Sequence, residues 1–328
     1  MQFGLFGGAR TRASVGMEDS LGYDSFIEYV MEADRLGFRH VFMVEHHFTG
    51  HGQVSASMTL LAYLAARTRT IRLGTAVVVL PWHNPVLIAE QAATLDLLSG
   101  GRFDFGVGKG YRQAEFDGFC IPMAEATERF DEAMEIIRKA WTSTGRFSHH
   151  GKRWHYDDIL VEPEPLQRPH PPLWLAAGSQ DSIRRAAREG YNLLLDQLAQ
   201  TDQIVQRIAL FREECARVGR PYRSDMVATA RALQLVHSED ERAEAYETRR
   251  RVVSTIGALA RDRLADRVEE DTAPLLGTPD EVIARLRQLE AGGATNILLV
   301  DPNASVANLR AFAREVMPAV QSVSAAAQ

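Results

Sequence analysis

Cysteine is nearly absent: the chain of 328 residues holds only Cys120 and Cys215. Two lone thiols make neither a disulfide framework nor a Cys-based metal site, and they fit a reducing compartment. Long apolar runs are missing as well. The run from Ala76 to Leu80 is far shorter than the ~20 residues a membrane helix needs, and no basic segment precedes the short apolar start as in a secretory signal. Positive charge is in deficit, with 37 Lys and Arg against 43 Asp and Glu. The formal net charge of −6 gives no global reason to bind nucleic acid or an anionic membrane. Any anion site must be a local cluster. No Pro-, Ser- or Gly-rich linker divides the chain, so residues 1–328 are expected to form a single domain that is soluble and cytoplasmic.

What is present is a regular alternation. Phe3-Gly4-Leu5-Phe6 reads as a first strand, followed by a Gly/Arg/Ser-rich loop to about Gly22. Phe26, Val30, Ala33 and Leu36 then recur at helical spacing and Gly37 ends the helix. Val41-Phe42-Met43-Val44 forms the last rungs of a second strand that ends at Glu45. A helix over 56–65 leads to a third strand, Ile71 to Val79. Pro85 opens a helix with Val86, Leu87, Ala93 and Leu97 expected inward, and Arg102 to Val107 is a fourth strand. Continuous apolar strands of this kind belong to parallel sheets covered on both faces.

The connection from Gly108 to Ala124 is long and rich in functional side chains. Phe130, Met134, Ile137 and Trp141 mark one face of the next helix, with Glu135 and Lys139 paired on the other. Residues 144–161 alternate around Gly151 as a β-hairpin insertion. His149, His150 and His155 on it are expected to be exposed. Leu173 to Ala177, Asn192 to Leu195, a stretch within 226–236 and Asn296 to Val300 complete eight strands. A charged helical insertion is expected over 239–270, with Arg249-Arg250-Arg251 as a solvated face. Thr278-Pro279-Asp280-Glu281 is a capping box. The expected fold is an α/β (β/α)8 TIM barrel.

The chemistry-bearing stretch is Glu45-His46-His47-Phe48, placed where the second strand ends. In α/β folds the carboxyl ends of strands carry the active site. A neutral imidazole at His46 can accept a proton near neutral pH, and the ordinary alternative is a buried structural histidine. Adjacent side chains on extended backbone point to opposite faces, so His47 should have a different job. Glu45 reads as a group that orients a histidine or pairs with a cation. A metal site from His47 and His51 would need a helix that Gly50 and Gly52 oppose, so no metal is expected. Trp82, Tyr111, Phe116 and Tyr156 are candidate lining for a substrate pocket.

Several further motifs occur in order: Gly74-Thr75-Ala76 with Leu80-Pro81, and Leu95 to Phe103 (LDLLSGGRF). Then come Gly106-Val107-Gly108-Lys109-Gly110-Tyr111, Glu115-Phe116, Arg129-Phe130-Asp131-Glu132, Pro171-Pro172-Leu173-Trp174 and Gly277-Thr278-Pro279. In this order and spacing, over roughly 300 residues, the chain resembles the bacterial luciferase-like superfamily of flavin-dependent monooxygenases. The resemblance implies FMN, reduced by a separate NAD(P)H:flavin reductase, reacting with O2 to a C4a-peroxyflavin that oxygenates a small organic substrate, a carbonyl or a related compound.

It also implies site residues. His46, with Glu45 and His47, takes the catalytic position. Ala76 and Val77 would lie against the flavin ring through a non-prolyl cis peptide. Lys109, Tyr111, Arg129, Gly178, Ser179 and Ser182 would bind the cofactor, the last three at a helix N-terminus suited to phosphate. Luciferase α chains carry cysteine where Gly108 stands and arginine where Lys109 stands, which argues against light emission. Two alternatives remain open: hydride transfer with the deazaflavin F420, and a non-catalytic flavin-binding relative. A homodimer is expected from the resemblance.

Overall fold

Short apolar runs set the strands, and the glycines and capping residues between them set the turns. The computed structural model describes residues 1–10, 19–50, 53–260 and 271–321, with only the course of the backbone for 19–21 and 252–260. His51 and Gly52, much of the first loop and the end of the charged insertion lie outside the described residues. The chain groups into two compact units, Phe6–Ala176 and Met1–Leu5 with Ala177–Gln328. The opening strand β1 (Gln2–Gly7) is shared by both ranges.

In the unit Phe6–Ala176, α1 (Asp19–Arg35) precedes β2 (His40–Met43), and Gly37 makes the turn between them at φ +79°. The helix thus begins before Gly22. β2 is shorter than expected and ends at Met43; the residues after it bond outside the ladder, Val44 N–H to Gly7 O at 2.9 Å and His46 N–H to Val54 O at 3.1 Å. α2 (Ser57–Arg67) leads to β3 (Arg72–Thr75) and β4 (Val78–Val79). The single strand expected over 71–79 is divided at Ala76-Val77, whose peptide is cis. Thr75 holds the division in place: its Oγ1 donates to Gly106 O at 2.7 Å and accepts from Gly106 N–H at 2.9 Å.

α3 (Pro85–Leu98) starts where Asn84 Oδ1 accepts the N–H groups of Val86 and Leu87 at 3.0 and 3.2 Å. Its register differs from expectation. Ile88, Ala89, Ala92, Ala93 and Leu95 are buried, whereas Leu87 and Leu97 are exposed. A helix apolar on most of its circumference does not announce its inner face, and the small alanines take the close packing. β5 (Phe103–Gly108) follows, then α4 (Gln113–Gly118) and α5 (Ala126–Thr142), which buries Phe130, Met134, Ile137 and Trp141 as expected. Lys139 donates to Ser148 O at 2.7 Å, a bond made by its hairpin neighbour and not by Glu135.

β6 (Phe147–His150) and β7 (His155–Ile159) form the antiparallel hairpin. His149 is buried on it, contrary to expectation, because Glu132 reaches its Nε2 at 3.3 Å and also accepts the backbone N–H groups of Arg153 and Trp154. β8 (Leu173–Ala176) ends the unit. The parallel order here is β2-β3-β5-β8, with β4 also on β5.

In the other unit, α6 (Gln180–Arg188), β9 (Asn192–Leu195) and α7 (Thr201–Arg217) come first. β10 (Val227–Leu235), α8 (Glu239–Ala260), β11 (Leu275–Gly277), α9 (Pro279–Ala291), β12 (Asn296–Val300), α10 (Val306–Glu315) and α11 (Met317–Val320) complete it. The parallel order is β9-β10-β12-β1, with β11 on the end of β10. The capping box forms: Thr278 N–H reaches Glu281 Oε2 at 2.7 Å and Glu281 N–H reaches Thr278 Oγ1 at 3.4 Å. Arg249 corrects the expected solvated face; it is buried and paired with Asp271 at 2.7 Å. Only its neighbours Arg250 and Arg251 conform to the expectation, bonding Glu247 and Thr248 on the same helix.

Each unit thus carries four parallel strands alternating with helices, and the fold is an α/β (β/α)8 barrel with a hairpin insertion and a helical insertion. Among the described residues, no helix is long and apolar enough to cross a membrane.

Candidate functional site

Residues 44–47 run on from β2 outside the ladder, and Phe48 then turns the chain at φ +55°. Glu45 and His47 share one side: His47 Nε2 lies 3.2 Å from Glu45 Oε1. The same oxygen takes the Trp82 indole N–H at 3.0 Å and lies 2.9 Å from His83 Nε2. Trp82 and His83 arrive on the short 3-10 turn Leu80–Trp82 and the residue after it. Burial alone would push the Glu45 carboxyl up. Hydrogen bonds from His47 and His83, the charge of His83 and the Trp82 bond outweigh it and hold the group at about 2. Glu45 is therefore ionised near neutral pH and serves as an acceptor for three side chains.

His46 points the other way and meets α4. Its Nδ1 lies 3.0 Å from Glu115 Oε1, and that oxygen also accepts the His47 backbone N–H at 3.0 Å. Glu115 is buried, which raises its carboxyl, but the bonds from His46 and His47 lower it below its ordinary value. An ionised carboxylate only accepts, so Nδ1 carries the ring proton and Nε2 of a neutral His46 is left as an acceptor. His46 and His47 thus have separate carboxylate partners. Glu115, Trp82 and His83 complete an arrangement whose members are far apart in sequence; Trp82 stands among the aromatic pocket candidates and Glu115 in the Glu-Phe pair, whereas nothing local marks His83.

An aromatic group packs beside it. Trp82 stacks on Phe119, with centroids 5.1 Å apart and planes at 23°, and meets the buried Phe116 edge-on at 5.2 Å. Phe116 is thus packing, and Tyr156 bonds its hydroxyl to Asn84 Oδ1 at 3.3 Å. Val77 lies over Gly108: a Cβ on Gly108 would come within 2.6 Å of Val77 Cγ2. Any side chain at 108 would have to displace Val77.

The cationic candidates are unequal. Lys109 Nζ donates to the Thr127 hydroxyl at 3.2 Å and has no carboxylate partner among the described residues. Arg129 is held by Glu125 at 2.9 Å, which Arg153 shares at 3.0 Å. Tyr111 is exposed, with the Arg112 guanidinium 5.5 Å from its ring centre.

Gly178, Ser179 and Ser182 lie in the other unit. Ser179 caps α6, accepting the Ser182 N–H at 3.3 Å, and the two hydroxyl oxygens are 2.9 Å apart. A cavity of about 360 Å³ opens beside them, lined in part by Gly178, Gln180, Arg184, Gln203 and Arg207. Arg207 is paired with Asp196 at 2.8 Å. Exposed hydroxyls, the helix N–H groups and nearby guanidinium groups form a donor set that fits a phosphate monoester. Among the described residues, no group of His, Cys, Asp and Glu is arranged to hold a metal ion.

The family model described as "Luciferase-like monooxygenase" matches residues 1–296. An uncharacterised protein of Sinorhizobium fredii, y4vJ, is 36% identical over 172 residues, so this chain spans about half of that relative (52% of this chain, 49% of the other). The oxygenase component of a flavin-dependent trigonelline monooxygenase from Acinetobacter baylyi is 28% identical over 325 residues, covering 90% of this chain and 89% of the other. Among solved structures, the monooxygenase RslO1 from Streptomyces bottropensis superposes with a TM-score of 0.86 at 28% identity, over 97% of this chain and 99% of the other. The oxygenating constituent of 3,6-diketocamphane monooxygenase from Pseudomonas putida, in complex with FMN, gives 0.79 at 20% identity over 97% and 98%. An F420-dependent secondary alcohol dehydrogenase gives 0.77 at 17% over 98% and 99%.

Proposed function

The chain belongs to the luciferase-like monooxygenase family, and on that premise we propose that it is the oxygenase component of a two-component, FMN-dependent monooxygenase. It takes reduced FMN from a separate NAD(P)H:flavin reductase, uses O2, and oxygenates a small organic substrate, a carbonyl or a related compound. The observation that carries this reading is the His46–Glu115 pair at 3.0 Å, which leaves the outer ring nitrogen of His46 able to accept a proton.

When bound, the reduced flavin supplies the electrons that activate O2 for transfer of one oxygen atom. The protein's own work is positional. Glu115 fixes the tautomer and direction of His46, and His46 Nε2 holds or receives a proton from the reacting groups. Glu45 fixes His47, His83 and Trp82 in one layer beside it, and the stacked Trp82 and Phe119 exclude water. We assign Ala76 and Val77 to the flavin ring, Gly178, Ser179 and Ser182 to the phosphate, and Lys109 to its charge. Tyr111 and Arg129 are secondary contacts, since Arg129 already has Glu125. The relative that bears the name of an oxygenase component and the FMN-bound fold neighbour support the choice of cofactor and of a reductase partner.

In this reading residues 1–328 act as one barrel domain, as a homodimer, in the cytoplasm. Hydride transfer with F420 is the second reading, favoured by the fold likeness to an F420-dependent dehydrogenase. Titrating the protein separately with FMN and F420, followed by turnover with a flavin reductase and a carbonyl panel, tests the two. Binding of FMN and reductase-dependent consumption of O2 with oxygenated product supports the proposal; binding of F420 alone overturns it.

A further inference from the structure

Arg231 is the largest fully buried side chain among the described residues. It stands on β10, two residues beyond Thr229 and hence on the same face of the strand. A guanidinium has five N–H donors in a fixed fork. Nη1 uses its pair on main-chain carbonyls, Ala230 O at 2.9 Å and Asp196 O at 3.2 Å. Nε and Nη2 are buried and have no partner, and neither has the hydroxyl of Thr229.

The charge of Arg231 also has no carboxylate paired with it among the described residues. The acidic groups whose fields reach Arg231 are Asp196 and Asp271. Asp196 is taken by Arg207 at 2.8 Å, and Asp271 by Arg249 at 2.7 Å and by the Gln200 amide at 2.8 Å. Among the described residues Arg231 has no ion-pair partner of its own. A buried cation without one is strongly unfavourable, and native interiors leave few such groups. The unpartnered edge, Nε with Nη2, is covered by its neighbours; with the covering side chains moved aside it would present two parallel N–H groups to one carboxylate. The contact to Asp196 O places the head group at the carboxyl end of β9, the end of an α/β sheet where ligands bind.

We propose that Arg231 anchors a carboxylate-binding site, and that the carboxylate is carried by the organic substrate, so that the protein acts on a small organic acid. Only the word substrate rests on the monooxygenase reading; the binding site stands on the unpartnered fork. Arg249, whose Nη1 is likewise buried and unpartnered, adds a second positive charge near it.

The test is binding to the full-length protein, read by calorimetry and by the melting temperature. The probes are acetate, benzoate and nicotinate, each against its amide, together with inorganic phosphate and FMN. At least one acid should bind at least tenfold more tightly than its amide. Arg231→Met, which fills the space without the charge, should abolish that preference and leave FMN binding unchanged. Arg231→Lys, which keeps the charge and loses the fork, should weaken the acid by an intermediate factor and serves if the Met variant does not fold. No acid outbinding its amide, or a preference that survives in both variants, overturns the proposal. So does a response to phosphate alone that both variants lose, because it would make Arg231 a phosphate group's partner. Failure of FMN to bind the wild-type protein would contradict the proposed cofactor while leaving an acid-over-amide preference intact.

Discussion

His46 Nδ1 lies 3.0 Å from Glu115 Oε1, although the two stand 69 positions apart in the chain. Because the carboxylate can only accept, the pair fixes which ring nitrogen holds the proton. His46→Ala should lower turnover by about 10² to 10⁴, the usual contribution of a positioned acid or base, with little change in FMN affinity. Steady-state kinetics beside a flavin titration checks both. An equal loss in both quantities would make His46 a binding residue.

Glu115→Gln keeps the shape and removes the charge. The amide can offer N–H to His46 and permit the wrong tautomer, so kcat should fall while KM for the substrate changes little, and the pH profile of kcat should shift. A variant with an unmoved pH profile and normal kcat would show that Glu115 only packs.

Glu45 makes a prediction about acid stability. Its folded carboxyl is depressed to about 2, so its contribution is present above the unfolded value near 4.5 and is lost as pH falls from there toward 2. The linkage is up to roughly 3 kcal/mol. Denaturant melts of wild type and Glu45→Gln between neutral pH and the onset of acid unfolding should converge as pH falls. Parallel curves would mean that Glu45 gives no such coupling.

Gly108→Cys should destabilise the protein by about 1–3 kcal/mol through overpacking against Val77. Val77→Ala removes the atoms in the way, so the double variant should recover much of the loss. Additive losses in a double-mutant cycle would place the conflict elsewhere.

Much of this was readable from residue order. The strands at 192–195 and 296–300, the hairpin and the cap at Thr278 fall where apolar runs and turn residues put them. α3 did not, because Leu87 and Leu97 are as apolar as the alanines that pack inward. Charge was equally ambiguous: Arg249 in a run of three arginines and His149 in a polar hairpin are buried only because Asp271 and Glu132 reach them. The site divided in the same way. Glu45, His46 and His47 are contiguous and visible, whereas Glu115, Trp82 and His83 join them through contacts that no local spacing encodes.

The most direct test of the central claim is a stopped-flow experiment in which protein with anaerobically reduced FMN is mixed with oxygenated buffer and flavin reoxidation is followed. The account predicts reoxidation markedly slower than that of unbound reduced FMN, and a faster return in His46→Ala. Reoxidation at the rate of unbound flavin in the wild-type protein, with no FMN retained, would contradict it.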